Sequence, residues 1–292
     1  MDSKKVVIIL GSSGQLGKEF SNSKNLKNNF SLVCLDRSRC DITNYEHVKK
    51  EIFKHSPSYL INCAAYTNVD GAELNYLEAN SINNEAVENL AKLCKKKDTV
   101  LIHFSTDYVF EGNKEKPIKE NDNKNPINAY GLTKHLGEEA IYKNCVEYFL
   151  FRVSWVYGSY GNNFPKKIIK SIVDNKDINV VSDQVGSPTP TKLIVSVVEE
   201  IICDDDLSSL FGTYHISPNG HCSWFNIAQR IKNYYPSFSK KIKPIKSESL
   251  DLKAKRPKFS YLDNTYLKKT FKMNIKNWDE YVDSFLEDKN FE

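Results

Sequence analysis

Tyr130 and Lys134 stand four apart in the run Tyr-Gly-Leu-Thr-Lys, in a segment whose composition predicts a helix. Four residues is about one helical turn, so both side chains leave the same face. An ammonium held beside a phenol favours the phenolate, because a nearby opposite charge lowers the pKa of an acid. A tyrosine tuned in this way can give or take a proton at a carbonyl or carbinol oxygen. The spacing alone carries little weight, since such pairs are common on solvated helix faces. It becomes chemistry only if the chain also supplies a hydride carrier and a third polar group.

Thr106 offers the third group. Val100-Leu101-Ile102-His103-Phe104 predicts the next buried strand, and it ends in Ser105-Thr106-Asp107-Tyr108-Val109-Phe110. Ligands of open α/β sheets sit at the carboxyl ends of strands, where the Thr106 hydroxyl can donate to a substrate oxygen. The competing reading of Thr106 is a strand-end cap.

The hydride carrier is suggested at the N-terminus. Val6 to Leu10 predicts a parallel strand buried on both faces, and Gly11-Ser12-Ser13-Gly14-Gln15-Leu16-Gly17 follows at once. Strand, glycine turn and helix start make an anion site in which backbone N–H groups face a pyrophosphate. The bland alternative for Gly11, Gly14 and Gly17 is a tight turn. A second predicted strand, Ser31 to Leu35, ends at Asp36. A carboxylate about 20 residues past such glycines is placed to bond an adenosine ribose hydroxyl, which favours NADH. Arg37 beside it can pair with the 2′-phosphate of NADPH, so either cofactor is expected. Asp41 and Ile42 precede a helix predicted from Tyr45 to about His55, capped by Thr43 or Asn44. A third strand, Tyr59 to Asn62, runs into Cys63-Ala64-Ala65-Tyr66-Thr67, whose small residues let a flat cofactor lie close to the backbone.

These elements must be positioned by an alternating scaffold. A helix from Asn80 to about Lys97, the strand ending at Thr106, the Tyr130 helix and a strand from Glu147 to Ser154 complete a strand–helix rhythm. That rhythm predicts an α/β, Rossmann-type doubly wound parallel sheet. After about residue 155 it loosens into predicted helices from Asn162, Lys192, Ser223 and Trp278 and a strand from Gly212 to Ile216. The expected division is a cofactor-binding domain over 1–155 and a smaller C-terminal α/β substrate lobe over 156–292, some of whose segments return to the first core.

Composition narrows the function classes. The 292 residues carry a net charge of +4, and the lysines are interleaved with Asp, Glu and Asn, so no nucleic-acid partner is expected. No apolar run approaches membrane-spanning length and no signal-peptide core is present, so neither a membrane nor secretion is expected. The seven cysteines are odd in number and irregular in spacing, which argues against zinc and disulfide frameworks and suits a reducing cytoplasm.

The order of these signals resembles the extended short-chain dehydrogenases/reductases and, within them, the dTDP-4-dehydrorhamnose reductase family. The resemblance rests on the glycine turn, Asn62 to Asp70, Ser105 to Gly112, Tyr130 to Lys134 with Gly137-Glu138, Arg152 to Gly158, Gly161 to Phe164, Asp183 to Thr189 and Arg256-Pro257. It implies reduction of the 4-keto group of a nucleotide-linked sugar by NAD(P)H, with Tyr130 as proton donor. Lys134 would lower the tyrosine pKa and hold the nicotinamide ribose, and Thr106 would orient the carbonyl. Gln15, Leu16, Asp36, Asp41, Ile42, Ala64, Ala65 and Thr67 would line the cofactor. Asp107 and Trp155 would contact the sugar, with Asn163, Gln184 and Arg256 on the nucleotide-diphosphate side. Some family members are magnesium-linked homodimers. Here Glu19 is kept, but Lys192 stands after the Gly-x-Pro-Thr turn, and a lysine is not a magnesium ligand, so no metal is expected. Two other readings share the pattern: a sibling nucleotide-sugar epimerase, dehydratase or reductase, and a non-catalytic subunit like the regulatory subunit of methionine adenosyltransferase.

Overall fold

In the computed structural model, which describes residues 4–204, 207 and 209–288, the chain opens with β1 (Val6–Leu10). Val7 and Ile9 enter one core and Ile8 and Leu10 the other, so a strand covered on both faces needs apolar residues at every position. Then come α1 (Gln15–Asn22), α2 (Lys24–Asn29), β2 (Ser31–Leu35) and α3 (Tyr45–His55). Asn44 caps α3, its side chain accepting from the backbone N–H groups of Glu46 and His47. After β3 (Tyr59–Asn62) follow α4 (Val69–Leu74), α5 (Tyr76–Asn80), a π turn (Ser81–Glu85) and α6 (Ala86–Lys96). The helix predicted to begin at Asn80 therefore starts earlier and carries a π turn. The cause lies at Asn83, which turns inward: its Oδ1 accepts from Tyr66 N and its Nδ2 donates to Tyr66 O and Thr133 Oγ1.

β4 (Val100–Thr106), a 3₁₀ turn (Asp107–Val109), α7 (Ala129–Asn144) and β5 (Tyr148–Val153) complete the first half. The second half supplies α8 (Phe164–Val173), β6 (Ile178–Val181), β7 (Val185–Gly186), α9 (Thr191–Ile202), β8 (Gly212–His215) and β9 (Cys222–Ser223). It ends with α10 (Trp224–Asn233), β10 (Ile242–Ile245), α11 (Thr265–Phe271) and α12 (Trp278–Glu287).

The main sheet is parallel, in the order β2-β1-β3-β4-β5-β8. Its two faces carry separate cores. One holds Phe20, Phe104, Phe149 and Phe151 against the residues of α9 and against Leu267 of α11; the other holds Val48, Leu90 and Ile141 from α3, α6 and α7. α9 buries Leu193, Ile194, Val195, Val197, Val198, Ile201 and Ile202, so it is apolar nearly all round. A third core gathers Ile168, Ile172, Val180, Ile227, Ile231, Val282 and Phe285 from α8, β6, α10 and α12. After residue 155 the chain thus gives β8 to the main sheet and α9 and α11 to its core, while α8, β6, α10 and α12 build the third core. Among the described residues no helix is long and apolar enough to cross a membrane. All seven cysteines are free thiols.

Candidate active site

The sheet order reverses at β1, between the glycine turn and the loop after β3, which opens a crevice at their carboxyl ends. The two loops touch. Gly11 sits at φ +69°, and a Cβ there would lie 2.7 Å from Ala64 N, so a side chain fails on both counts. Gly14 is the N-cap of α1 and makes no side-chain cap, so no N-cap side chain takes up the first-turn N–H groups of α1. Gly17 is buried and Leu16 packs at the edge of the sheet core. Gln15 turns toward the second lobe: its Nε2 donates to Val156 O at 3.1 Å and its Oε1 accepts from Asn163 Nδ2 at 2.9 Å.

Asp36 ends β2 with its carboxyl held below the usual aspartate range by the Ser38 hydroxyl, 2.6 Å away, and by Arg39 N–H. Arg37 is exposed and pairs with Asp41 at 3.3 Å, while Ile42 is buried beneath them. Ala64 is half-buried, and Ala65 and Thr67 are exposed on the loop after β3.

The candidate proton donor and its neighbours lie two strands away along the same edge. α7 can approach the turn after β4 because Gly131 has no side chain: a Cβ there would lie 2.2 Å from Tyr108 O. Asn128 caps α7, accepting from Gly131 N at 2.7 Å. This seating sets the Tyr130 ring edge-on to that of Tyr108 at 5.7 Å, beside Thr106. Thr106 Oγ1 donates to Asp107 Oδ1 at 3.0 Å and accepts from Tyr108 N. Burial pushes the Tyr130 phenol up to about 12, against the Thr106 hydroxyl, which pulls it down. Burial pushes the Asp107 carboxyl up to about 6, although the Ser260 and Thr106 hydroxyls favour its ionised form. Its Oδ2 is a buried oxygen with no hydrogen-bond partner in the protein.

The expected electrostatic pairing of Lys134 with Tyr130 is not what the side chains show. Lys134 Nζ is directed at β4, donating to Phe104 O at 2.7 Å and meeting His103 Nε2 at 3.2 Å. Burial lowers it to about 8, partly offset by Glu138. The shared helical face is real, but one turn along α7 carries Lys134 under the sheet edge rather than beside the phenol, and desolvation then dominates both groups. One further turn along, Glu138 accepts from Arg152 Nε and Nη2 at 2.8 and 2.7 Å in a buried bidentate pair that clamps α7 to β5.

The residues expected on the substrate side divide. Trp155 sits at φ +48°, strained for a bulky residue, and its ring stacks on Trp224 at 3.7 Å between centroids. It lies against Gly186, where a Cβ would come within 2.7 Å of the indole. Gln184 Oε1 accepts from Trp224 Nε1. Two of the residues expected on the nucleotide-diphosphate side have partners within the protein. Asn163 is committed to the fold: it caps α8 by accepting from Lys166 N, and its amide bonds Gln15 and Gly158 O. Arg256 is held by Asp70 through two bonds of 2.8 and 2.7 Å, so its guanidinium locks a loop to the start of α4. Sequence reasoning gave no role to Asn83, His103, Trp224 or Ser260. Only Asn83 left a signal, as a poor helix former inside an amphipathic run.

No group of three or more His, Cys, Asp or Glu is gathered for a metal among the described residues. Glu19 accepts from Thr191 Oγ1 at 2.6 Å, and Lys192 pairs with Asp288.

The model of the RmlD substrate binding domain family matches residues 4–291. A dTDP-4-dehydrorhamnose reductase of Aggregatibacter actinomycetemcomitans is 32% identical over 286 residues, covering 93% of this chain and 95% of that protein. That of Escherichia coli K12 is 31% identical over 288 residues, covering 96% of each chain. The crystal structure of dTDP-4-dehydrorhamnose reductase from Bacillus anthracis, in complex with NADP, superposes with a TM-score of 0.93 at 35% identity, covering 98% of this chain and 100% of that one. With a family model spanning nearly its whole length and relatives of this identity and coverage, the chain belongs to the dTDP-4-dehydrorhamnose reductase family.

Proposed function

We propose that this protein reduces the 4-keto group of dTDP-4-dehydro-L-rhamnose to give dTDP-L-rhamnose, using NADPH or NADH. The observation that carries the reading is the seating of α7, which bears Tyr130, against the turn that follows Thr106 at the carboxyl end of β4: Gly131 packs on the Tyr108 carbonyl and the Tyr130 ring meets the Tyr108 ring edge-on at 5.7 Å. Carbonyl reduction needs an acid at the oxygen, and a phenol pushed up to about 12 is fully protonated at neutral pH.

The crevice suits a dinucleotide. The uncapped start of α1, the side-chain-free Gly11 against Ala64, and an ionised Asp36 at the end of β2 match a pyrophosphate and a ribose. What the nicotinamide supplies when bound is the hydride. The chain's own residues do the rest. Thr106 orients the carbonyl oxygen, Tyr130 delivers the proton to it, and Lys134 holds the nicotinamide ribose from beneath. The relative bound to NADP supports use of that cofactor, and the exposed Arg37 suits a 2′-phosphate. Asp107 and Trp155 face the sugar, with Gln184 holding the wall behind Trp155 through Trp224.

A cytoplasmic location and a homodimer belong to the same proposal. Seven free thiols suit a reducing compartment. Leu74 and Leu77, 72% and 81% exposed, give an apolar edge that a second copy can cover. A single monomer in sedimentation at micromolar concentration removes the dimer.

The test of the activity is oxidation of NADPH and NADH dependent on the keto-sugar, with the product identified. Turnover with dTDP-4-dehydro-L-rhamnose giving dTDP-L-rhamnose is expected. Turnover only with a UDP- or GDP-linked sugar, or none with any keto-sugar while the fold is intact, overturns the assignment.

A further inference from the structure

A buried chain of side chains leads away from Lys134. Lys134 Nζ meets His103 Nε2 at 3.2 Å, His103 Nδ1 meets Asn62 Nδ2 at 3.1 Å, and Asn62 Oδ1 accepts from Ala64 N at 3.1 Å. Asn62, His103 and Lys134 are each about 98% buried or more, so these groups have no water to turn to.

The donors and acceptors of this chain can be counted from its far end. The Ala64 backbone N–H is a fixed donor, so the Asn62 oxygen must face it and the Asn62 amide must face His103. His103 then accepts at Nδ1. Burial holds its imidazole pKa well below the usual value, so the ring is neutral and carries its one proton on Nε2. That proton points at Lys134 Nζ. An ammonium has no lone pair to receive it. If Lys134 is charged, either His103 moves its proton to Nδ1 against the Asn62 amide, or Asn62 flips its amide against Ala64 N–H. Either way one buried donor faces another. A neutral amine removes the conflict: it accepts from His103, donates to Phe104 O and keeps one N–H for the site.

We infer that His103, with its tautomer set by Asn62, is a positioning residue that holds Lys134 as a neutral amine in the cofactor-free protein. The other ionisable groups around Lys134 do not decide the matter. Glu138, one turn along α7, favours the ammonium, but its carboxylate is taken up by Arg152 of β5. Tyr130, one turn earlier, is protonated. Burial brings Lys134 down only to about 8, and it is the proton His103 directs at Nζ that opposes the ammonium further. A consequence follows for the loop after β3. Ala64 stands where the crevice faces a dinucleotide, so an acceptor that takes over the Ala64 N–H frees the Asn62 amide to turn. His103 can then become an acceptor, and Lys134 can take up a proton. The inference takes from the proposed function only that Lys134 faces the cofactor.

The test uses cofactor-free protein and needs no turnover, so its failure is separable from failure of the reductase reading. Long-range ¹H–¹⁵N correlation spectra of the histidine-labelled protein read the His103 tautomer, assigned with His103→Gln. The Nε2–H form is expected, and the Nδ1–H form overturns the inference. The ¹³Cε shift of Lys134, assigned with Lys134→Met, follows its titration. Asn62→Asp offers His103 an acceptor on Nδ1 while still accepting from Ala64 N–H. It should switch the tautomer and raise the proton affinity of Lys134 by about tenfold, one pH unit. An unchanged Lys134 midpoint in a folded Asn62→Asp variant overturns the inference. Should that variant fail to fold, the wild-type tautomer still decides.

Discussion

Asp107→Asn separates the cost of a buried carboxylate from its use. An aspartate in water titrates near 3.8, and burial pushes Asp107 up to about 6. The difference is roughly two pH units, each about 1.4 kcal/mol, so the linked free energy is about 3 kcal/mol. The folded state binds this proton more tightly than the unfolded state does. Its contribution to stability is therefore complete below the unfolded value and is lost as pH rises through about 6. Asparagine cannot ionise, yet its oxygen can still accept from Thr106 Oγ1, so any lost or strained bond adds a constant that pH does not change. Urea unfolding of both proteins from about pH 4 to about pH 8 checks the point. The stability of the variant relative to wild type should grow by about 3 kcal/mol across that range, most of it between the two titration midpoints. Parallel pH profiles would refute the reasoning and would mean that Asp107 reaches water or a partner for its Oδ2.

Three further outcomes follow from the site. Tyr130→Phe should lower turnover by about 10²–10⁴-fold while NADPH still binds, measured by steady-state kinetics beside cofactor fluorescence; near-normal turnover would remove Tyr130 as the proton donor. Asp36→Ala should weaken NADH more than NADPH, since only the former needs a carboxylate on its ribose hydroxyl; equal losses in Kd would end that assignment. Gly131→Ala puts a methyl 2.2 Å from the Tyr108 carbonyl, so α7 must shift. A loss of about 1–3 kcal/mol in stability, with a larger fractional loss of turnover than of cofactor binding, is expected, and an unchanged Tm and turnover would show that the seat of α7 is not tight.

Much of the scaffold was legible because burial repeats along the chain. The run of β1 is apolar at successive positions since both faces are covered, and the start of β4 follows it up to the buried His103. The caps at Asn44 and Ser223 are local too, each set by a side chain reaching its own helix within three residues. The π turn was not legible. Its cause is a set of bonds from Asn83 to Tyr66 and Thr133, 17 and 50 residues away.

The site shows the same division. Residue types and spacing alone placed a glycine turn after the first strand, an acid after the second, a hydroxyl after a later strand and a Tyr-x-x-x-Lys face on the following helix, because each is a property of one element. Whether Arg256 was free for a phosphate depended on Asp70, 186 residues away, and whether Asn163 was free depended on Gln15, 148 residues away. Helical periodicity put Tyr130 and Lys134 on one face, but only the packing of α7 across β4 decided what each one meets. The phenol lies beside Thr106 at the rim, and the lysine, one turn deeper, reaches His103 and the Phe104 carbonyl. Spacing along a chain sets direction within one element; protonation is set by desolvation and by partners from other elements, and those exist only once the chain has folded.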